Sequence, residues 1–283
     1  MGDAEEMLDR ERLLDPASPP PTTDGGITTV GGAVDRRAPA SDIDGILDTI
    51  GHFGRFQRLH YGHVGVAWMI LAMNALCIVF VSPTAVPWRC LPNATAPGCQ
   101  NSTAVRVDPD EMATLCTLPF DQWEFVNPEH TVTATFGLIC SDDWKPAFVG
   151  SLYFVGFGLG AAVFGPMSDK LGRRRTYRIA LCGMVAGSVV SALATSYGMY
   201  CFTRVCCGFF NCGVGLASFT VTSELIGKRW RSRAAMLVQC FFSVGEVLLA
   251  GLAFAVPAWR AQTLLVSGLM VPLLVGAFAV FPE

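Results

Sequence analysis

Residues 165–178 read Gly165-Pro-Met-Ser-Asp169-Lys170-Leu-Gly172-Arg173-Arg174-Arg175-Thr-Tyr-Arg178. Five cations, one carboxylate and two glycines stand here between two long apolar runs, and that contrast decides the class of fold. Only 15% of the 283 residues are charged and 52% are apolar, against about 25% charged in ordinary soluble domains. The charges are also segregated. Residues 1–62 and 83–145 hold 19 of the 23 acids, so the stretches between them are ones that lipid or protein must cover.

Six apolar segments are legible, at about 64–82, 146–167, 177–198, 201–221, 234–257 and 261–281. Each is close to the length, about 20 residues, that a helix needs to cross a hydrocarbon core about 30 Å thick. The segment 146–167 has no charged residue. The junctions after the third and fifth segments are short, which makes those pairs helical hairpins. The fold expected is an all-α membrane bundle of six transmembrane helices: the first over 63–82, a long loop over 83–145, and helices two to six over 146–283.

Basic residues orient the bundle. The junction between segments two and three carries Lys170, Arg173, Arg174, Arg175 and Arg178, and that between four and five carries Lys228, Arg229, Arg231 and Arg233. The 3–4 turn has no cation and the 5–6 turn has only Arg260. The two basic junctions, and with them the N-terminus, are therefore expected on the cytoplasmic side.

The 83–145 loop then faces outside or a lumen, and its own residues agree. Asn93-Ala-Thr and Asn101-Ser-Thr are glycosylation acceptors, and the other three of the five asparagines stand in no acceptor. Cys90, Cys99, Cys116 and Cys140 lie in the same loop, where disulfides persist. Four cysteines allow three pairings, and the spacing does not choose among them.

Residues 1–40 are acidic and rich in Pro and Gly, with Pro16, Pro19, Pro20 and Pro21 clustered. Such a segment is expected to be a disordered cytoplasmic tail. It has no apolar h-region, so insertion falls to the first membrane helix. Within it, Asp9-Arg-Glu-Arg-Leu13-Leu14 has the form of an acidic dileucine sorting signal, which points to a vacuolar or lysosomal membrane, with the plasma membrane as the alternative. Over 41–62, Ile43, Ile46, Leu47, Ile50 and Phe53 share one helical face, predicting an amphipathic interfacial helix.

Gly165 and Gly172 flank Asp169 at a spacing that suits a tight reversal between two helices. At this spacing the stretch resembles the loop between helices two and three of the major facilitator superfamily. Arg204 opens segment four, Glu224 closes it, and Arg233 follows the next basic loop. In that superfamily such a glutamate and arginine join the 2–3 loop in a cytoplasmic ion-pair cluster that acts as a conformational switch. The resemblance thus implies roles for Gly165, Asp169, Lys170, Gly172, Arg173, Arg174, Arg204, Glu224 and Arg233. Phe281-Pro282-Glu283 looks like the opening of the Pro-Glu-Ser-Pro-Arg motif after helix six, which adds Glu283.

The long glycosylatable loop with its cysteines resembles the organic cation/carnitine transporter branch. So do Gly51-His-Phe-Gly54-Arg-Phe56-Gln57 and Phe136-Gly-Leu-Ile-Cys140, while Gln122-Trp123-Glu124-Phe125 looks closest to plant members. The family has two six-helix halves with substrate at the midplane between them, and this sequence matches the N-terminal half. The resemblance implies transport of small organic cations or carnitine by alternating access, in a lipid bilayer. The implied partners are a coupling ion, H+ or Na+, and either a second half or self-association. A sugar or other organic-solute porter, or a truncated, receptor-like relative that transports nothing, are the alternatives.

Glu246 is the first candidate for substrate contact, because a charge in the middle of a membrane segment is costly unless it meets a partner or water. Phe242 lies one turn earlier on the same face, so carboxylate and ring could meet a quaternary ammonium together. Trp68, Tyr153 and Asn211 are further lining candidates. Gly156-x-x-x-Gly160 and Gly183-x-x-x-Gly187 predict close helix approach. Cys206, Cys207 and Cys212 fit no zinc spacing and read as packing residues. No metal or cofactor is expected, and no nucleophile–base pair or phosphate loop points to an enzyme. The net charge of −3 gives no reason to expect nucleic acid.

Overall fold

The computed structural model describes residues 54–280, apart from 97–98, 100–103, 108–111, 113 and 227. The tail over 1–40 with its dileucine, the 41–53 part of the amphipathic segment, Asn101 and Glu283 therefore lie outside the described residues.

Six long helices dominate: α1 (Arg55–Val81), α3 (Lys145–Leu171), α4 (Arg173–Ala192), α5 (Tyr197–Leu225), α6 (Lys228–Ala255) and α7 (Trp259–Val280). Gln57 caps α1 by accepting the Gly54 amide at 2.7 Å, and the helix then runs unbroken to Val81. The boundary expected between an interfacial helix and the first membrane helix at 62/63 is thus not there. Residues 55–62 are the first two turns of the same continuous helix.

Five of the helices are long and apolar enough to cross a membrane, at Gln57–Val81, Cys140–Leu171, Tyr197–Glu224, Trp230–Ala255 and Trp259–Phe278. The exception is α4. It begins four residues earlier than expected, at Arg173, and ends six residues earlier, at Ala192, so four arginines occupy its first two turns. Packing shows what hydropathy does not. Arg178 near the start of α4 donates to the Ala277 carbonyl near the end of α7 at 3.4 Å. Arg260 at the start of α7 donates to the Ala192 carbonyl at 2.8 Å. The two helices are therefore antiparallel neighbours over about 20 Å, at 1.5 Å per residue, and α4 traverses the bundle with the rest.

Helix packing is set by small residues at crossings. A Cβ on Gly156 or Gly160 of α3 would stand within van der Waals contact of the carbonyls of Val205 and Phe209 on α5, and one on Gly208 of α5 would meet the Tyr153 carbonyl of α3. Each helix thus presses its backbone against the other. On α4, a Cβ at Gly183 would overlap the Phe210 ring, whereas Gly187 faces the Cys207 sulfur at ordinary contact distance. Around these crossings, Leu71 of α1, Tyr177 and Met184 of α4, Tyr200 and Val214 of α5, and Trp259 and Met270 of α7 form one buried core.

The loop after α1 has a core of its own. Strands β1 (Trp88–Cys90) and β2 (Trp123–Phe125) pair antiparallel with Arg89 opposite Glu124. Trp88, Leu115 and Trp123 are buried together behind them. The disulfides are Cys90–Cys99 and Cys116–Cys140, one of the three pairings the spacing left open. The short helix α2 (Val132–Phe136) starts where the Thr131 hydroxyl accepts the Ala134 amide. The Trp259 indole then ties this unit to α7 by donating to Thr135 Oγ1 at 2.9 Å.

Candidate functional site

Two regions bring the predicted residues together: the junction between α3 and α4, which the end of α5 meets, and an open face formed by α1, α5 and α6. At the junction, α3 and α4 are separated by a single residue, Gly172, whose φ of 85° and ψ of 147° lie in a region essentially restricted to glycine. That residue alone makes the reversal. Gly165 was expected to share it, but it sits inside α3 with open space where a Cβ would be.

Arg173, first residue of α4, is the hub. Its guanidinium lies 2.7 Å from Glu224 at the end of α5 and 3.8 Å from Asp169 on α3. One cation thus ties three helix ends. The side chains of Asp169 and Glu224 are 75% and 53% exposed, so each pair contributes on the order of 0.2–1 kcal/mol. The Asp169 carboxylate remains in solvent. Lys170 and Arg174 are exposed beside it.

Two residues expected in this cluster are elsewhere. Arg233 is exposed on α6 and lies over the Trp230 ring, 5.0 Å from its centroid, so Glu224 takes Arg173 as its partner instead. Arg204 is twenty residues from Glu224 along α5, about 30 Å away, and it is fully enclosed. Its Nε and Nη2 donate to the Tyr200 hydroxyl at 3.0 and 2.8 Å. It belongs to the core of the opposite end of the bundle and cannot join the cytoplasmic pairs.

On the open face, Trp68 of α1 is half-buried and donates from Nε1 to Ser218 Oγ of α5 at 3.1 Å. Its ring meets Phe219 of α5 and Phe242 of α6, with centroids 6.4 and 6.5 Å away. Glu246 follows Phe242 by one turn and is exposed. What holds it there is the neighbouring glycine. A Cβ on Gly245 would collide with the Met69 carbonyl of α1, so α6 lies backbone-to-backbone on α1 at that level. Glu246, about 100° further round the helix, is thereby turned away from the contact. Among the described residues no cation pairs with its carboxylate.

Tyr153 and Asn211 are not on this face. Asn211 Nδ2 donates to the Tyr153 hydroxyl and to the Leu71 carbonyl of α1, and both side chains are buried where α1, α3 and α5 meet. They pin helices together rather than line a cavity. Phe219 and Ser218, in contrast, were not anticipated. Ser218 follows Asn211 by seven residues, two turns on one face of α5, and that spacing was the available signal. Also unforeseen is the buried link from Asn74 of α1 to Ser188 of α4 at 2.9 Å, with the Cys207 sulfur 3.8 Å from the same hydroxyl. Cys207 and Cys212 are packed in the interior.

Residues 129–283 match the family model of the Major Facilitator Superfamily. The chain belongs to that superfamily. Its similarity to the organic cation/carnitine branch rests on individual relatives. It is 32% identical over 212 residues to organic cation/carnitine transporter 4 of Arabidopsis thaliana, covering 74% of this chain and 38% of that protein. It is 28% identical over 246 residues to the organic cation transporter protein of Drosophila melanogaster, covering 77% and 44%. It is 26% identical over 250 residues to human organic anion transporter 3, covering 78% and 44%. The chain thus spans 38–44% of the length of these relatives. A multi-pass facilitator bundle accounts for the six helices, for the single-residue reversal at Gly172 and for its arginine hub.

Proposed function

We propose that this chain forms the N-terminal six-helix half of a secondary transporter for small organic cations or carnitine, working by alternating access. The observation that carries the reading is Glu246, an exposed carboxylate in the membrane, one turn from a cluster of Trp68, Phe219 and Phe242. A carboxylate at that depth needs water or a counter-charge, and an aromatic face beside it attracts a quaternary ammonium by about 0.5–2 kcal/mol. The relatives named for organic cations and carnitine support this cargo. The organic anion transporter among them is the alternative, but Arg204, a cation enclosed among the membrane helices, is sealed in the core, whereas the carboxylate faces outward. In the switch we infer, closing the basic end assembles the Arg173–Glu224–Asp169 tie and opening it breaks the tie. The low strength of exposed pairs makes that exchange inexpensive.

The test uses the chain completed with a second six-helix bundle and expressed in cells. Uptake of labelled tetraethylammonium, divided by surface abundance, should fall by about tenfold in Glu246→Gln. That corresponds to about 1.5 kcal/mol for a contact to a charged group. Surface abundance should change little. Uptake per surface molecule equal to that of the wild type would falsify the assignment of Glu246.

A further inference from the structure

Helices α6 and α7 both pack on α1 yet leave a stripe of it uncovered, forming a groove of about 530 Å³. Arg58, Gly62 and Val66 lie along its floor, Phe241 of α6 forms one wall, and Leu269 and Pro272 of α7 form the other. The floor residues recur every four positions, so the stripe is continuous over about 12 Å. Gly62 has open space where a Cβ would stand, which keeps the floor clear. His63 closes the deep side, its ring packed against Gly276 and bonded to the Tyr177 hydroxyl at 3.1 Å. This groove is separate from the Trp68–Glu246 face. Phe241 and Phe242 are consecutive and point about 100° apart on α6.

The walls are apolar, and the mouth carries one charge. Arg58 is exposed there, and among the described residues no carboxylate pairs with it. The mouth lies at the basic end of the bundle, fixed by the bond from Tyr61 of α1 to the Ala234 carbonyl of α6 at 2.7 Å and by that from Arg178 of α4 to the Ala277 carbonyl of α7. An occupant must therefore bring an apolar chain about as deep as one leaflet, roughly half of a 30 Å core, and an anionic group at its top.

We propose that the groove binds an anionic phospholipid of the leaflet next to the basic loops, with an acyl chain between Phe241 and Leu269 and the phosphate at Arg58. A neutral lipid fills the walls but adds no net negative charge at the guanidinium, and free phosphate makes no use of the walls. Basic pockets between membrane helices on the cytoplasmic side are of the kind that hold anionic headgroups.

The full chain in nanodiscs is labelled with phosphatidylserine or phosphatidylcholine carrying a photoreactive acyl chain, and the adducts are mapped by peptide mass spectrometry. Phosphatidylserine should label peptides containing Gly62–Val66 and Leu269–Leu273 in preference to the exposed Phe154 face of α3. In Arg58→Gln this labelling should fall about fivefold, the factor one basic side chain confers near an anionic headgroup, and phosphatidylcholine labelling should stay constant. Arg58→Lys should retain the preference, excess inorganic phosphate should not compete, and Val66→Trp should block both lipids. Equal labelling of the groove and the α3 face overturns the proposal, as does an unchanged serine-to-choline ratio in Arg58→Gln. A groove left unlabelled by either lipid overturns it too, since another occupant then fills the space.

Discussion

Gly165 and Gly172 show what a residue's surroundings add to a motif. Both belong to the same sequence pattern, yet only Gly172 has the backbone angles that exclude a side chain. Gly172→Ala should therefore destabilise the protein by about 1–3 kcal/mol, the cost of holding a non-glycine residue in that region. Gly165→Ala should be neutral or stabilising by up to about 1 kcal/mol, because the position is helical and has space. Thermal unfolding of the two variants in detergent should show a clear loss for the first only. Equal losses would mean that the pattern constrains α3 in some way other than the turn. Glu246, Phe242 and Trp68 draw the eye in the sequence because a charged, polar or large-ring side chain in an apolar segment stands out against its neighbours. Tyr153 and Asn211 stood out for the same reason but are turned inward. A helix contributes both faces to the sequence, and which face points inward depends on its neighbours. The buried position of Arg204 was illegible for a related cause: its acceptor, Tyr200, is an ordinary aromatic residue one turn away.

Among the elements, α4 is where hydropathy and packing part company. Its four arginines lower its apolar content below that of the other five helices, yet its two ends are bonded to opposite ends of α7. The expected boundary at 198 failed because Ser196 begins α5 by accepting the Met199 amide at 3.3 Å, which leaves only a short turn. The crossing has a direct consequence. In a background lacking Cys182, Cys201 and Cys240, Leu193→Cys should react with a membrane-impermeant maleimide added to intact cells. Arg175→Cys should react only after permeabilisation. Both positions are exposed, so reactivity reports sidedness. If the two cysteines are labelled from the same side, α4 does not cross. The same experiment bears on the long loop, since Asn93 is exposed on the side assigned to Leu193. Asn93→Gln should raise gel mobility by the loss of one glycan in endoplasmic-reticulum membranes. The pairing of the four cysteines in that loop was beyond reach in the sequence, because it depends on β1 meeting β2 across more than thirty intervening residues.

For the molecule as a whole, the helices differ in how much of them the bundle covers. Of the apolar windows, 56% of α1 is buried and 50% of α5, but only 28% of the α3 span and 17% of the α6 span. Apolar exposure alone calls for no protein partner, since lipid covers Val247 or Phe254 as well as another helix does. The carboxylate on α6 is different. Facing lipid, a charge near the bilayer centre costs on the order of 2.5–3.5 kcal/mol. Facing a water-filled cavity between two six-helix halves, it costs little and is available to a cation. The chain by itself should accordingly give no saturable uptake of labelled tetraethylammonium or carnitine, and the same substitution should act with opposite sign in two settings. In the isolated six-helix chain in nanodiscs, Glu246→Leu should raise thermal stability by about 2 kcal/mol, because it removes an uncompensated charge from lipid. In the chain joined to a second bundle, it should abolish uptake. A loss of stability in the isolated chain would show that Glu246 already has a partner within the bundle. It would then be a structural residue, and the cation site would have to be sought around Trp68 and Phe219 without it.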